Sequence, residues 1–205
     1  MKNKYNLILS LRGSRFYRKS AKYDLALSCE LEEIVIGLAL GDLHIEKISP
    51  KNNARLQFHQ SNINREYILH LFTLFEEYCG SAPKVFSSFD NRINKNKVYS
   101  SIKFSTFSLP CFNKFRDMFY DSNGIKFIPH NLDETLTARG LAYWIMDDGY
   151  KFGKGFYLCT ESYTLSDNEK LREILTNKFN LNCGIHKQSN GNRLYIYLVH
   201  LKKDY

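Results

Sequence analysis

The 205-residue chain carries 29 Lys+Arg against 21 Asp+Glu, a formal net charge of +8, with 43% hydrophobic and 15% aromatic residues. That apolar content excludes a wholly disordered chain, and 4 prolines and 11 glycines exclude collagen-like or low-complexity material. No apolar run approaches the roughly 20 residues a membrane-spanning helix needs, and the 5 cysteines, without a CxxC pair, exclude a zinc finger or a secreted disulfide scaffold and read as reduced core thiols.

An excess of positive charge points to an acidic partner, of which nucleic acid is the commonest. The wealth of Asn, Lys, Ile, Phe and Tyr reads as an AT-rich coding bias of the kind found in organellar genomes, which places the protein in a mitochondrion or chloroplast. Residues 1–30 form a basic arm: the first 23 hold no Asp or Glu but carry Lys2, Lys4, Arg12, Arg15, Arg18, Lys19 and Lys22. The arm reads either as a phosphate-binding extension or as an acid-poor transit peptide.

From about Leu31 to Leu43 the chain predicts a helix. Glu32 and Glu33 sit near its start, where the helix dipole favours them. Its run Ile34 to Gly41 is apolar on every side, as in a helix buried all round. Gly37 and Gly41 lie one turn apart on one face. Each glycine costs a helix about 1 kcal/mol against Ala, and close approach of a second helix backbone compensates.

Arg55 to His59 alternates like a half-buried strand, with Leu56 and Phe58 inward. Asn62 to Tyr78 predicts a helix with Ile63, Tyr67, Leu71, Leu74 and Tyr78 on one face, ended by Gly80 and Pro83. Val85 to Phe89 and Val98 to Thr106 predict two strands across a polar turn, and Pro110 to Tyr120 a short helix. A second pass follows. Glu134 to Asp148 predicts a helix, Phe156 to Glu161 a strand, and Ser166 to Phe179 a helix with Ser166 and Glu169 as capping box. Ile185 to Gln188 and Arg193 to Leu198 predict a hairpin across Asn190-Gly191. The order helix, strand, helix, strand, strand occurs twice, which is an internal duplication.

Each repeat opens with a buried helix ending in aspartate. The first reads Val35-Ile36-Gly37-Leu38-Ala39-Leu40-Gly41-Asp42-Leu43, the second Leu141-Ala142-Tyr143-Trp144-Ile145-Met146-Asp147-Asp148-Gly149. Aligned, Asp42 and Asp148 coincide. A carboxylate at a helix C-terminus meets unpaired carbonyls, where negative charge is disfavoured. A divalent cation removes that conflict, because both kinds of oxygen are its ligands. Paired carboxylates on paired helices, beside basic sheets, describe metal-assisted phosphodiester hydrolysis.

These two segments resemble the paired motifs of the LAGLIDADG homing endonucleases in their single-chain form, and the second is especially similar to the omega-intron type. The resemblance covers about Leu31 to Leu198. It implies an α+β fold of two αββαββα halves, here 31–130 and 131–205, related by a pseudo-twofold axis. The motif helices would pack together through Gly37 and Gly41, and two antiparallel sheets would form a saddle over DNA. It also implies two or more Mg²⁺ ions, with Mn²⁺ as a substitute, held by Asp42 and Asp148 and assisted by the carbonyls of Gly41 and Asp147. A monomer would cut both strands of a long asymmetric site, leaving short 3′ overhangs and promoting intron homing. Lys126-Phe127-Ile128-Pro129 matches the family's Lys-x-Ile-Pro pattern, making Lys126 the basic residue beside a metal-bound water.

The segments depart from the family at Tyr143 and Leu43, where Gly is usual. The second half stops at Lys202-Lys203-Asp204-Tyr205, without a counterpart to the helix Pro110 to Tyr120 or to Lys126. A shortened second half makes a nicking or cleavage-deficient DNA-binding protein an alternative, beside a group I intron RNA maturase whose partner is intron RNA. His44 reads as a packing or phosphate-contacting residue. Strand parity nominates DNA contacts: Arg55, Gln57, His59, Tyr99, Ser101, Lys103 and Ser105 in the first half, and Tyr157, Glu161, Lys187, Arg193, Tyr195 and Tyr197 in the second. Lys84, Arg92, Lys95, Lys97, Lys151 and Lys154, expected in turns, read as phosphate contacts.

Overall fold

The computed structural model describes residues 24–90 and 97–198. The fold is α+β. In chain order its elements are α1 (Cys29–Leu40), β1 (His44–Glu46), β2 (Arg55–Ser61), α2 (Arg65–Phe75), β3 (Lys84–Asp90), β4 (Lys97–Ser105) and α3 (Asn113–Phe119), then α4 (Leu132–Thr135), α5 (Ala138–Asp148), β5 (Gly149–Phe152), β6 (Gly155–Leu158), α6 (Leu165–Phe179), β7 (Cys183–Gln188) and β8 (Gly191–Tyr197). The strands form two four-stranded antiparallel sheets, ordered β1-β2-β4-β3 and β5-β6-β8-β7. The two orders are the same, so the duplication seen in the sequence extends to strand pairing.

Two compact units contain these elements. One holds 24–27 and His44–Lys114; the other holds Ser28–Leu43 and 115–198. These units do not follow the sequence halves, because α1 packs with α5. The predicted arm, Arg92 and Lys95, and the end of the chain with Lys202 and Lys203 lie outside the described residues.

In the first unit, β2 alternates as expected, with Leu56 and Phe58 buried and His59 exposed. Phe58 stacks on Phe104 of β4 with centroids 4.3 Å apart, and Phe75 of α2 lies 5.1 Å from Phe58. The buried face of α2 is Ile68, Leu71 and Phe75, continued by Tyr78; it keeps Leu71 and Tyr78 of the predicted face and replaces Ile63, Tyr67 and Leu74. Ile63 is 93% exposed. The chain from Asn62 to Asn64 is a 3₁₀ turn capped by Ser61, so α2 starts later and its apolar stripe is rotated.

In the second unit, the long helix predicted from Glu134 is two helices. Leu136 is extended, and Thr137 N-caps α5 by accepting from the Gly140 N–H. The N-cap of α6 is Thr164, not Ser166. Its side chain accepts from the Asp167 N–H while Asp167 accepts from the Thr164 N–H, a capping box set two residues earlier than expected. Two short strands, β1 and β5, are absent from the strand, helix, strand, strand reading. The β5–β6 hairpin turns at Gly153-Lys154, where Gly153 has φ +55°. All five cysteines are free and none is fully buried, which corrects the core-thiol expectation.

The packing of α1 on α5 follows from their sequences. Seven consecutive residues of α1, Ile34 to Leu40, are buried. A Cβ added at Gly37 would lie 1.9 Å from the Gly140 carbonyl oxygen, and one added at Gly140 would lie 2.9 Å from the Glu33 oxygen. The backbones therefore touch where only glycine fits. At one end of the pair, Arg139 of α5 donates to Glu33 at 2.9 Å and to Glu30 at 3.0 Å, and the Thr137 hydroxyl donates to Glu33 at 2.9 Å.

Replacing Gly37 with Ala tests this packing. Helix propensity alone would stabilise the variant by about 1 kcal/mol. The backbone clash instead predicts destabilisation by about 1–3 kcal/mol, read as a lower midpoint in urea unfolding.

Candidate active site and nucleic-acid interface

The site lies in the second unit, at the C-terminal ends of α1 and α5. Gly41 closes α1, its N–H reaching back to the Leu38 carbonyl, and Asp42 follows as an exposed turn residue. Asp148 is the last residue of α5. The aspartates thus differ by two residues in their relation to the helix end. The Asp147 side chain crosses from α5 to α1, where its Oδ2 accepts from the Asp42 N–H at 2.7 Å. A Cβ at Gly41 would meet that same oxygen at 2.6 Å, so the glycine makes room for the carboxylate.

A turn after α3 delivers Lys126. Asp121 Oδ1 accepts from the N–H groups of Asn123 and Ile125, at 2.9 and 2.7 Å, and Gly124 takes φ +80°. The chain folds back, Phe127 N–H donates to the Phe119 carbonyl, and Lys126 bridges to Tyr120. Lys126 Nζ then donates to the Gly41 carbonyl at 2.7 Å.

Three carboxylates and one ammonium converge here. Burial raises the Asp148 carboxyl from its ordinary 3.8 to about 7, with further upward contributions from the charges of Asp42 and Asp147, against a downward pull from Lys126. Burial lowers the Lys126 ammonium to about 8, against the upward pull of Asp148, Asp147 and Asp42.

Among the described residues there is no group of three His, Cys, Asp or Glu side chains able to hold a metal ion by itself. Asp147 is committed to the Asp42 N–H and the Gly41 carbonyl to Lys126. The candidate ligands are the carboxylates of Asp42 and Asp148 beside the Asp147 carbonyl. That set fits Mg²⁺, which is held by one or two carboxylates and completed by water and substrate phosphate, rather than an all-protein cage.

Tyr163, which the sequence reading missed, also positions the site. It is buried, and its hydroxyl donates to the Leu40 carbonyl at 3.0 Å, satisfying the last turn of α1. Nothing in its local sequence marks it, since it lies in the loop between β6 and α6.

In the first sheet, pairing puts Arg55, Gln57, His59, Ser101, Lys103 and Ser105 on one face, together with Lys84, Tyr99, His44 and Glu46. Arg55 and Gln57 both donate to Glu46. Lys84 and Lys151 are strand residues, not turn residues, and Lys97 opens β4; Lys154 is in the turn expected for it. In the second sheet, Tyr157, Arg193, Tyr195 and Tyr197 share the face opposite buried Leu158, Leu194 and Ile196. Lys187 pairs with Asn192 on the other parity, so it belongs to the α6 side. Glu161 lies past the end of β6 and is ion-paired to Arg193, so neither side chain is an unpaired reader of bases. Burial raises the Glu161 carboxyl, but the hydrogen bond from Arg193, a backbone hydrogen bond and the Arg193 charge together outweigh it, and the net shift is downward. Tyr150 and Phe152, missed with β5, and His186, missed because its neighbour Lys187 is read as outward, join this face.

This fold and site define a two-motif nuclease class. The chain belongs to the LAGLIDADG DNA endonuclease family, whose model matches residues 32–203. It is 34% identical to the cytochrome b mRNA maturase bI2 of Debaryomyces hansenii over 86% of this chain and 67% of that protein. It is 32% identical to the probable intron-encoded endonuclease 1 of Wickerhamomyces canadensis over 99% of this chain and 87% of that protein. The chain spans 47% of the Saccharomyces cerevisiae maturase bI2, with 31% identity. The structure of the homing endonuclease I-WcaI bound to its DNA recognition sequence matches with a TM-score of 0.80 and 31% identity, over 96% of this chain and 88% of that one.

The raised Asp148 carboxyl sets a stability prediction. Its folded value, about 7, lies above its ordinary 3.8, so metal-free stability declines as pH rises through that interval and levels off above it. Asp148→Asn removes the decline. In EDTA the variant should melt higher than the parent at pH 8, and the gap should close below pH 4, in thermal scans across pH.

Proposed function

We propose that this protein is a site-specific, Mg²⁺-dependent double-strand DNA homing endonuclease, acting as a monomer in a mitochondrion or chloroplast. Its product would have short 3′ overhangs, and its role would be intron mobility. The observation that carries the reading is the convergence of Asp42, Asp148 and Lys126 at the paired ends of α1 and α5. Likeness to a DNA-bound homing endonuclease over nearly the whole chain supports it, as does the +8 charge.

Asp42 and Asp148 would hold Mg²⁺ against the scissile phosphates, and the ion, when bound, supplies Lewis-acid stabilisation and a more acidic water. Asp147 keeps the Asp42 backbone in place, and Tyr163 and Gly37 keep the helix ends in register. Lys126 Nζ presents a cation beside the carboxylates, suited to hold a phosphate oxygen or a proton as the strand is cut. Each sheet offers a polar or aromatic face to one half of the DNA site.

A second reading, assistance to intron RNA splicing, is favoured by the likeness to two proteins named cytochrome b mRNA maturases. That name also supports the organellar placement.

Cleavage selection on a randomised duplex library and on intronless organellar DNA tests the first reading. Asp42→Asn and Asp148→Asn should each abolish cleavage in Mg²⁺ while duplex binding persists, because the sheets carry the affinity. Cleavage retained in either variant, or seen in EDTA, would sink the assignment. RNA retention without cleavage would favour splicing assistance. Duplex affinity of the parent should also fall steeply between 50 and 200 mM salt, on the order of 10³-fold or more for six or more phosphate contacts; a flat response in fluorescence anisotropy would count against it.

A further inference from the structure

The face of the second sheet away from α6 is surfaced with rings. Strand pairing places Tyr150, Phe152, Tyr157, His186, Tyr195 and Tyr197 together there. Their polar groups are turned on one another. The Tyr157 hydroxyl and His186 Nδ1 share a hydrogen bond of 2.7 Å, the Tyr195 hydroxyl donates to the Phe152 carbonyl at 2.9 Å, and the Tyr197 hydroxyl lies 3.3 Å from His186 Nε2. Arg193 donates to the Tyr150 hydroxyl and to Glu161.

The central rings also cover each other. His186 and Tyr195 stack at 5.0 Å, and Tyr157 has Tyr195, Phe152 and Tyr150 at 4.8, 5.4 and 5.5 Å. Glycines let the rings lie low on the sheet: a Cβ at Gly155 would come within 2.6 Å of the Tyr195 hydroxyl, and one at Gly184 within 3.0 Å of that of Tyr197. The exposed remainder is Phe152 at 59%, Tyr197 at 41% and Tyr150 at 39%.

Such a surface offers ring carbon rather than hydrogen-bond donors. Apart from Arg193, tied to Glu161 and Tyr150, and Gln188 at the end of β7, it carries little that reads the donor and acceptor pattern of base edges, and its central rings cover one another. The base-edge feature of the major groove that apolar carbon recognises is the thymine 5-methyl group. The first sheet differs, carrying His59 and Lys103 on one face beside Arg55 and Gln57, which Glu46 holds.

We propose that the second sheet reads its half of the DNA site through thymine methyl groups, while the first sheet reads the other half through polar side chains. This rests on the endonuclease reading above. The test replaces dT with dU, which deletes only the methyl, across one half of the selected duplex at a time. Kd of the full chain is measured by fluorescence anisotropy. Uracil in one half should weaken binding about fourfold for each contacted methyl, and in the other half by less than about twofold.

Phe152→Ser and Tyr197→Ser should shrink that penalty toward none, whereas Phe152→Leu and Tyr197→Phe should keep it; thermal melts of all four establish that they fold. Uracil without effect in either half, in a protein that still cleaves the thymine duplex, would overturn the inference and leave the nuclease reading standing. So would a penalty unchanged in the serine variants. Retention of single-stranded RNA that depends on Phe152, with no duplex binding, would overturn both in favour of base stacking.

Discussion

The contact between Gly37 and Gly140 is the constraint on which the site depends. With no Cβ on either residue, α1 and α5 approach backbone to backbone, and the C-terminal ends of both helices are brought together. Asp147 can then reach the Asp42 N–H, and Asp148 comes under the charges of both. A methyl group at the crossing would widen the spacing and dissolve that electrostatic unit. The glycines, costly to an isolated helix, are what make the pair possible.

The helix ends then carry a deliberate imbalance. Three carboxylates meet at the C-terminal ends of the helices, with one ammonium to offset them. In the absence of a cation this arrangement opposes folding near neutral pH. It persists because the opposite end of the pair is tied by Arg139 to Glu30 and Glu33, and because the buried length of α1 supplies apolar contact. Stability is drawn from the middle and one end of the helix pair, and chemistry from the other.

The repeat, the two motif helices and the aspartates were legible in the sequence because each rests on a local pattern: an apolar run, a glycine spacing, an acidic terminus. Gly37 found its close helix contact for the same reason. Lys126 was legible only through the family motif, since its role depends on a turn built by Asp121 and Gly124. Tyr163 was illegible, because a loop tyrosine that caps a distant helix leaves no local trace. The strands β1 and β5, 3 and 4 residues long, were too short for alternation to register. Losing β5 hid Tyr150 and Phe152, two of the six rings of that face. Parity correctly grouped Tyr157, Tyr195 and Tyr197, but it could not foresee that Arg193 and Glu161 would neutralise each other.

The assignment of α1 to the second unit has a consequence for synthesis. On the ribosome, α1 emerges with the first half, yet the partner that buries it, α5, follows roughly a hundred residues later. Until then a helix with a fully apolar run lacks the partner it packs on, while the first sheet can already form around Phe58, Phe104 and Phe75. The nascent chain thus carries a hydrophobic segment ahead of its partner, a state that invites chaperone capture or aggregation. Closing that long loop is also an entropic toll on the folding rate. The duplicated architecture that unites two motifs in one chain makes the first motif wait for the second.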